Sequence, residues 1–150
     1  MNKLKELLAA LLLAESNFKV LHWNAHGKEF DSTHVNITTT YYDLCSDKAD
    51  VVAEMLIRMG GSPVNHAEVV TVLNDSNRHY NITASTRLYD KEEIVSAADE
   101  ILGGIVALIE ECLASKDIAE NPHNVGIKAS LEGLHDEFDI QWRYINKRRK

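Results

Sequence analysis

Between Leu21 and His34 the chain places three of its seven histidines, His22, His26 and His34, together with Trp23. Further on, Asp43, Asp47, Asp50 and Glu54 follow one another at spacings of four, three and four, which puts them on one helical ridge. Each half has a plain explanation when taken alone. The histidines read as hydrogen-bonded residues at a helix corner, and the carboxylates as a solvated face with Lys48 and Arg58 nearby. Taken together they point to a metal. Imidazole with carboxylate is the ligand set for iron or zinc, whereas carboxylates alone lean to magnesium or calcium. The candidate ligands are His22, His34, Asp50 and Glu54.

These residues need helices to position them. Leu4, Leu7, Leu8, Leu11, Leu12, Phe18, Leu21 and Ala25 recur at three-and-four spacing and predict a first helix over about 2–26, closed by Gly27. Asp31 and Ser32 are suitable N-caps for a second helix running to Met59, with Val35, Tyr42, Leu44, Val52, Met55 and Leu56 as its buried candidates. The β-branched run from Val35 to Thr40 disfavours helix at its start. Gly60-Gly61-Ser62-Pro63 stops it. Residues 64–89 read as a long crossover with a short helix over His66 to Asn74. Asp90 caps a third helix through Cys112, in which Gly103-Gly104 marks a close helix approach. Asn121-Pro122 opens a fourth with the stripe Ile127, Leu131, Leu134, Phe138, Trp142 and Ile145. Four long helices with one long crossover predict an all-α, ferritin-like four-helix bundle spanning 1–150 as a single domain.

Within one chain the ligands cannot meet. Sixteen residues separate His34 from Asp50, roughly 24 Å along a continuous helix and about 160° around it. A twofold dimer with crossed second helices would set His22 and His34 of one chain against Asp50 and Glu54 of the other. A rival intrachain motif, Glu132-Gly133-Leu134-His135, has Glu-x-x-His spacing, but no second copy accompanies it, so both residues read as structural. His66, His79 and His123 carry no legible site.

Composition narrows the rest. A net charge of −7 with 26% charged residues gives no general affinity for nucleic acid. The exception is a basic tip, Lys147, Arg148, Arg149 and Lys150, a candidate for weak DNA contact. No apolar run is long enough for a membrane span. Cys45 and Cys112 are isolated, which predicts a cytoplasmic compartment in which the sequons at Asn36 and Asn81 go unused.

The pattern His22-Trp23-Asn24-x-x-Gly27-x-x-Phe30-x-x-x-His34, followed by Asp50-x-x-x-Glu54 and Gly60-Gly61, resembles the Dps family of miniferritins. The detailed match covers residues 15–63, and helix lengths and the late Trp142 agree elsewhere. The resemblance implies a homodimer assembling into a homododecameric shell, with ferroxidase centres at dimer interfaces. Two histidines would come from one subunit and the aspartate and glutamate from its mate. It implies oxidation of iron by hydrogen peroxide or dioxygen, storage of ferric mineral, and zinc or manganese as substitute ions. Trp23 reads most simply as a core or interface aromatic, and the resemblance adds that beside an iron centre it would intercept oxidising equivalents. The chain departs from the pattern at Thr38, where the family usually has an aspartate, and the interval from His34 to Gly60 is one residue longer. A weakened or single-metal site is therefore expected, with Asp43, a turn further on, as a possible compensating carboxylate. The alternatives are a non-catalytic shell or a DNA-associated protein with a degenerate metal site.

Overall fold

In the computed structural model, residues 2–75 and 87–149 are described. Their long helices are α1 (Asn2–Trp23), α3 (Thr40–Arg58), α5 (Lys91–Ala114) and α7 (Val125–Arg149). Short ones are α2 (Phe30–Thr33), α4 (Val69–Asp75) and α6 (Lys116–Ala119). Helix α1 packs on α3 and α5 on α7, and α1 also rests on α5 and α4. This is the expected four-helix bundle. Its core is apolar, with Leu7, Leu11, Phe18, Leu21, Leu102, Leu108, Leu131 and Phe138 wholly buried. Each such side chain contributes about 1.5–3 kcal/mol on burial.

The direction of the crossover follows from one contact. Ala25 forms an isolated parallel bridge with Tyr89: His26 N–H donates to the Tyr89 carbonyl at 3.0 Å, and Tyr89 N–H to that of Asn24 at 2.9 Å. Helix α5 thus begins where α1 ends and α3's helical run begins, so α3 and α5 run parallel, as a long crossover requires. Asp90 caps α5 with a complete capping box to Glu93. Asn121 caps the turn Pro122–Asn124 that leads into α7. The crossover carries a one-turn helix, His66–Glu68, capped by Asn65, and then α4. His79 and Asn81 lie outside the described residues.

Three local expectations need correction. The first helix stops at Trp23, three residues early, because Asn24 and His26 turn their backbone groups to Tyr89. The next begins at Phe30, with Glu29 at its N-cap and no side-chain cap, so Asp31 and Ser32 lie inside its first turn. The turn at Gly27, where φ is +106°, lets Phe30 N–H reach the Gly27 carbonyl and starts the helix there. Val35 is 54% exposed and not a core residue. Gly103 does mark a close approach: a Cβ there would lie 3.0 Å from the Trp142 ring.

Candidate metal centre

His22 ends α1 and His34 follows α2, so the Gly27 corner folds one back over the other. The corner is tied down by the Tyr89 bridge and by an ion pair between Glu29 and Lys91 of α5. The imidazoles stack with centroids 3.6 Å apart and planes 19° from parallel. Phe30 stacks on the outer face of His34 at 4.7 Å, and Tyr42 meets His22 edge-on at 5.3 Å.

The hydrogen bonds are reciprocal. His22 Nδ1 lies 3.2 Å from the His34 carbonyl oxygen, and His34 Nδ1 lies 3.2 Å from that of His22. A carbonyl only accepts, so in each bond the ring nitrogen donates. In a neutral ring this leaves Nε2 as the lone-pair nitrogen, the state in which imidazole binds metal. Burial, then the neighbouring His34, pushes the His22 pKa below its ordinary value of 6.5, against the opposing effect of the His34 carbonyl. Both effects favour the neutral ligand form.

Between the two histidines and α3 the helix is widened. His34–Thr39 form a π-helical turn inside an otherwise continuous helical run over 30–58. A π-turn holds one residue more than the α-helical turn it replaces.

Asp50 and Glu54 are exposed on α3, four residues apart. Asp50 lines a surface groove with Asp47, His66 and, from α1, Leu8, Leu12 and Glu15. That stretch of α1 is about two to four turns from His22. The fold thus brings His22 and His34 together and leaves the carboxylates elsewhere on the same protomer. Among the described residues, no three of His, Cys, Asp and Glu converge to hold a metal. The cations nearest the ridge in sequence are turned away, Lys48 pairing with Glu137 of α7 at 2.7 Å and Arg58 reaching toward Gly126.

A family model for the ferritin-like domain matches residues 1–121. This chain belongs to the ferritin-like family. Relatives named for DNA protection during starvation support a Dps-family miniferritin, and the structural neighbours share the fold. It is similar to a DNA protection during starvation protein of Porphyromonas gingivalis, at 32% identity over 68% of this chain and 66% of that relative. That match spans just under two thirds of the relative's length. An uncharacterised protein of Haemophilus influenzae is 34% identical over 96% of this chain and 82% of its own. Among solved structures, Dps from Staphylococcus aureus superposes with a TM-score of 0.81 at 20% identity, covering 99% of this chain and 93% of that one. The Helicobacter cinaedi CAIP structure gives 0.83 at 21%, covering 99% and 97%. At these identities the structures speak for the fold.

The remaining expected residues of this ferritin-like chain fall as follows. Trp23, beside the histidine corner, is 70% exposed, which rules out a core role within the protomer. Asp43 is exposed on α3. His135 pairs with Glu110 at 3.0 Å, a contact between α7 and α5, as a structural residue would. In the basic tip, Arg149 is ion-paired with Asp99, Lys147 and Arg148 are exposed, and Lys150 lies outside the described residues. Two features had no usable sequence signal: Tyr42 against His22, and the hydroxyls of Thr38 and Thr39 around the His22 ring.

Proposed function

We propose that the chain is a ferroxidase and iron-storage protein whose centres form between two copies. The observation that carries this reading is the pair of stacked imidazoles, each with Nδ1 bonded to the other's carbonyl and Nε2 left as a donor to metal. His22 and His34 of one subunit would bind Fe²⁺, and Asp50 and Glu54 of its mate would complete the site as anions. Two carboxylates favour the higher charge of Fe³⁺ and so promote loss of the electron. Two Fe²⁺ ions supply the two electrons that cleave the O–O bond of one hydrogen peroxide; dioxygen is the alternative oxidant. Exposed Trp23 and Phe30 beside the histidines support burial of this corner in a dimer. The ferric product would be stored inside a homododecameric shell.

Thr38 favours a second reading, a shell without ferroxidase activity. Its wholly buried hydroxyl is bonded to the His34 carbonyl at 2.7 Å and offers no carboxylate to a metal. Stopped-flow iron oxidation separates the two. The ferroxidase reading expects the wild type to outpace a His22→Ala/His34→Ala/Asp50→Ala variant many-fold, and equal rates would refute it. Protection of DNA, the role in the relatives' names, would then follow from removal of iron and peroxide. Direct contact has little support, because the chain is acidic and Arg149 is already paired.

A further inference from the structure

We propose that Thr38 is the positioning residue of His22: its hydroxyl oxygen accepts the Nδ1–H of the imidazole and holds the ring with its lone pair on Nε2. The direction of that bond is fixed by where the hydroxyl's own proton goes. Thr38 Oγ1 is 2.7 Å from the His34 carbonyl and 3.4 Å from that of Thr33. Both are acceptors only, so the Thr38 proton is committed to them and its oxygen faces His22 Nδ1, 3.0 Å away, as an acceptor.

Thr39 repeats the arrangement less closely, donating to the same His34 carbonyl at 2.9 Å and lying 3.3 Å from His22 Nδ1. The His34 carbonyl therefore takes two hydroxyls as well, and His22 Nδ1–H is shared between that carbonyl at 3.2 Å and Thr38 Oγ1, the nearer partner. The π-turn adds Thr39 to this arrangement. In an α-helix a threonine bonds back to the carbonyl four residues earlier. Here Thr38 and Thr39, four and five residues beyond His34, both reach one carbonyl. The extra residue of the turn thus places a pair of hydroxyls around His22. A metal-binding histidine needs such a partner on its other nitrogen to fix tautomer and ring orientation. The inference rests on the proposed function in taking His22 as an iron ligand.

The test uses the full-length, metal-free, assembled protein with ¹⁵N-labelled histidine. The His22 resonances are identified by their loss in a His22→Gln variant. The expected wild-type spectrum has Nδ1 protonated and Nε2 unprotonated. Thr38→Val, of similar shape but without the hydroxyl, leaves Nδ1–H only the longer contact to the His34 carbonyl; it is expected to raise the share of the Nε2–H tautomer and to weaken zinc binding about tenfold to a hundredfold by calorimetry. Thr38→Ser is expected to restore both. A wild-type ring protonated on Nε2, a valine variant with wild-type tautomer and affinity, or a serine variant as weak as valine would each overturn the inference. The wild-type spectrum decides the proton's place even if the valine variant does not assemble. A wild type that carries the Nδ1 proton but oxidises no iron would refute the proposed function and leave the role of Thr38 standing.

Discussion

His22 and His34 hold each other through the main chain, each Nδ1 lying 3.2 Å from the other's carbonyl oxygen. The pair therefore joins α1 to the second helical run as well as presenting two lone pairs. His34→Ala removes one of these bonds and the ring between Phe30 and His22. Denaturant unfolding of the metal-free protein should show a loss of about 1–2 kcal/mol, the size of a hydrogen bond plus a stacking contact. Iron oxidation should fall to the background rate. Unchanged stability would mean that the stack is not a structural link.

The pH dependence follows from His22. Its folded pKa is below its ordinary 6.5, so between the two values the unfolded chain binds more protons. The stability contributed by the neutral ring is complete above about pH 6.5 and is lost as pH falls through the folded value. Metal binding should weaken in the same direction, since protons compete for Nε2. Unfolding midpoints measured from pH 7.5 to 5 should decline less steeply in His22→Gln than in the wild type. Equal slopes would contradict this.

Adjacent glycines in α5 should respond oppositely to alanine. A Cβ at Gly103 would meet the Trp142 ring at 3.0 Å, and that ring is held by its Nε1–H bond to Asp99 at 2.7 Å. Gly103→Ala should cost about 1–3 kcal/mol from overpacking, outweighing the helix-propensity gain of about 1 kcal/mol. At Gly104 a Cβ meets nothing within 4 Å, so Gly104→Ala should stabilise by up to about 1 kcal/mol. Thermal unfolding of the two variants, with Trp142 fluorescence as a local probe, checks the sign of each effect.

The bundle was legible because its signals are local. The apolar periods of α1, α5 and α7, the Asp90 cap and Pro122 act within a few residues and survived folding. The histidine corner was legible for the same reason, since His22, Gly27 and His34 are close in sequence. Where reading failed, a distant residue intervened. Tyr89, more than sixty positions from Asn24 and His26, ends α1 early, and nothing in 24–26 announces it. The Val35–Thr40 run signalled trouble for a helix but not its resolution, which is a π-turn with its threonine hydroxyls turned back onto His34. The carboxylates are the remaining case. Their spacing marks a ridge, but a site of the kind proposed, completed by a second copy, would leave no trace in the contacts of one protomer.

The proposed sharing of ligands can be tested by complementation. A chain carrying His22→Ala and His34→Ala is unfolded and reassembled with an equal amount of one carrying Asp50→Ala and Glu54→Ala. Each alone should oxidise iron at background. If ligands are shared across a twofold dimer, about half of randomly formed dimers are mixed. One of the two sites in each mixed dimer is then intact, which restores roughly a quarter of wild-type sites. Recovery near that level in stopped-flow iron oxidation is the expected result. No recovery in mixed assemblies whose formation is verified by mass would contradict a centre built from His22 and His34 of one copy and Asp50 and Glu54 of the other.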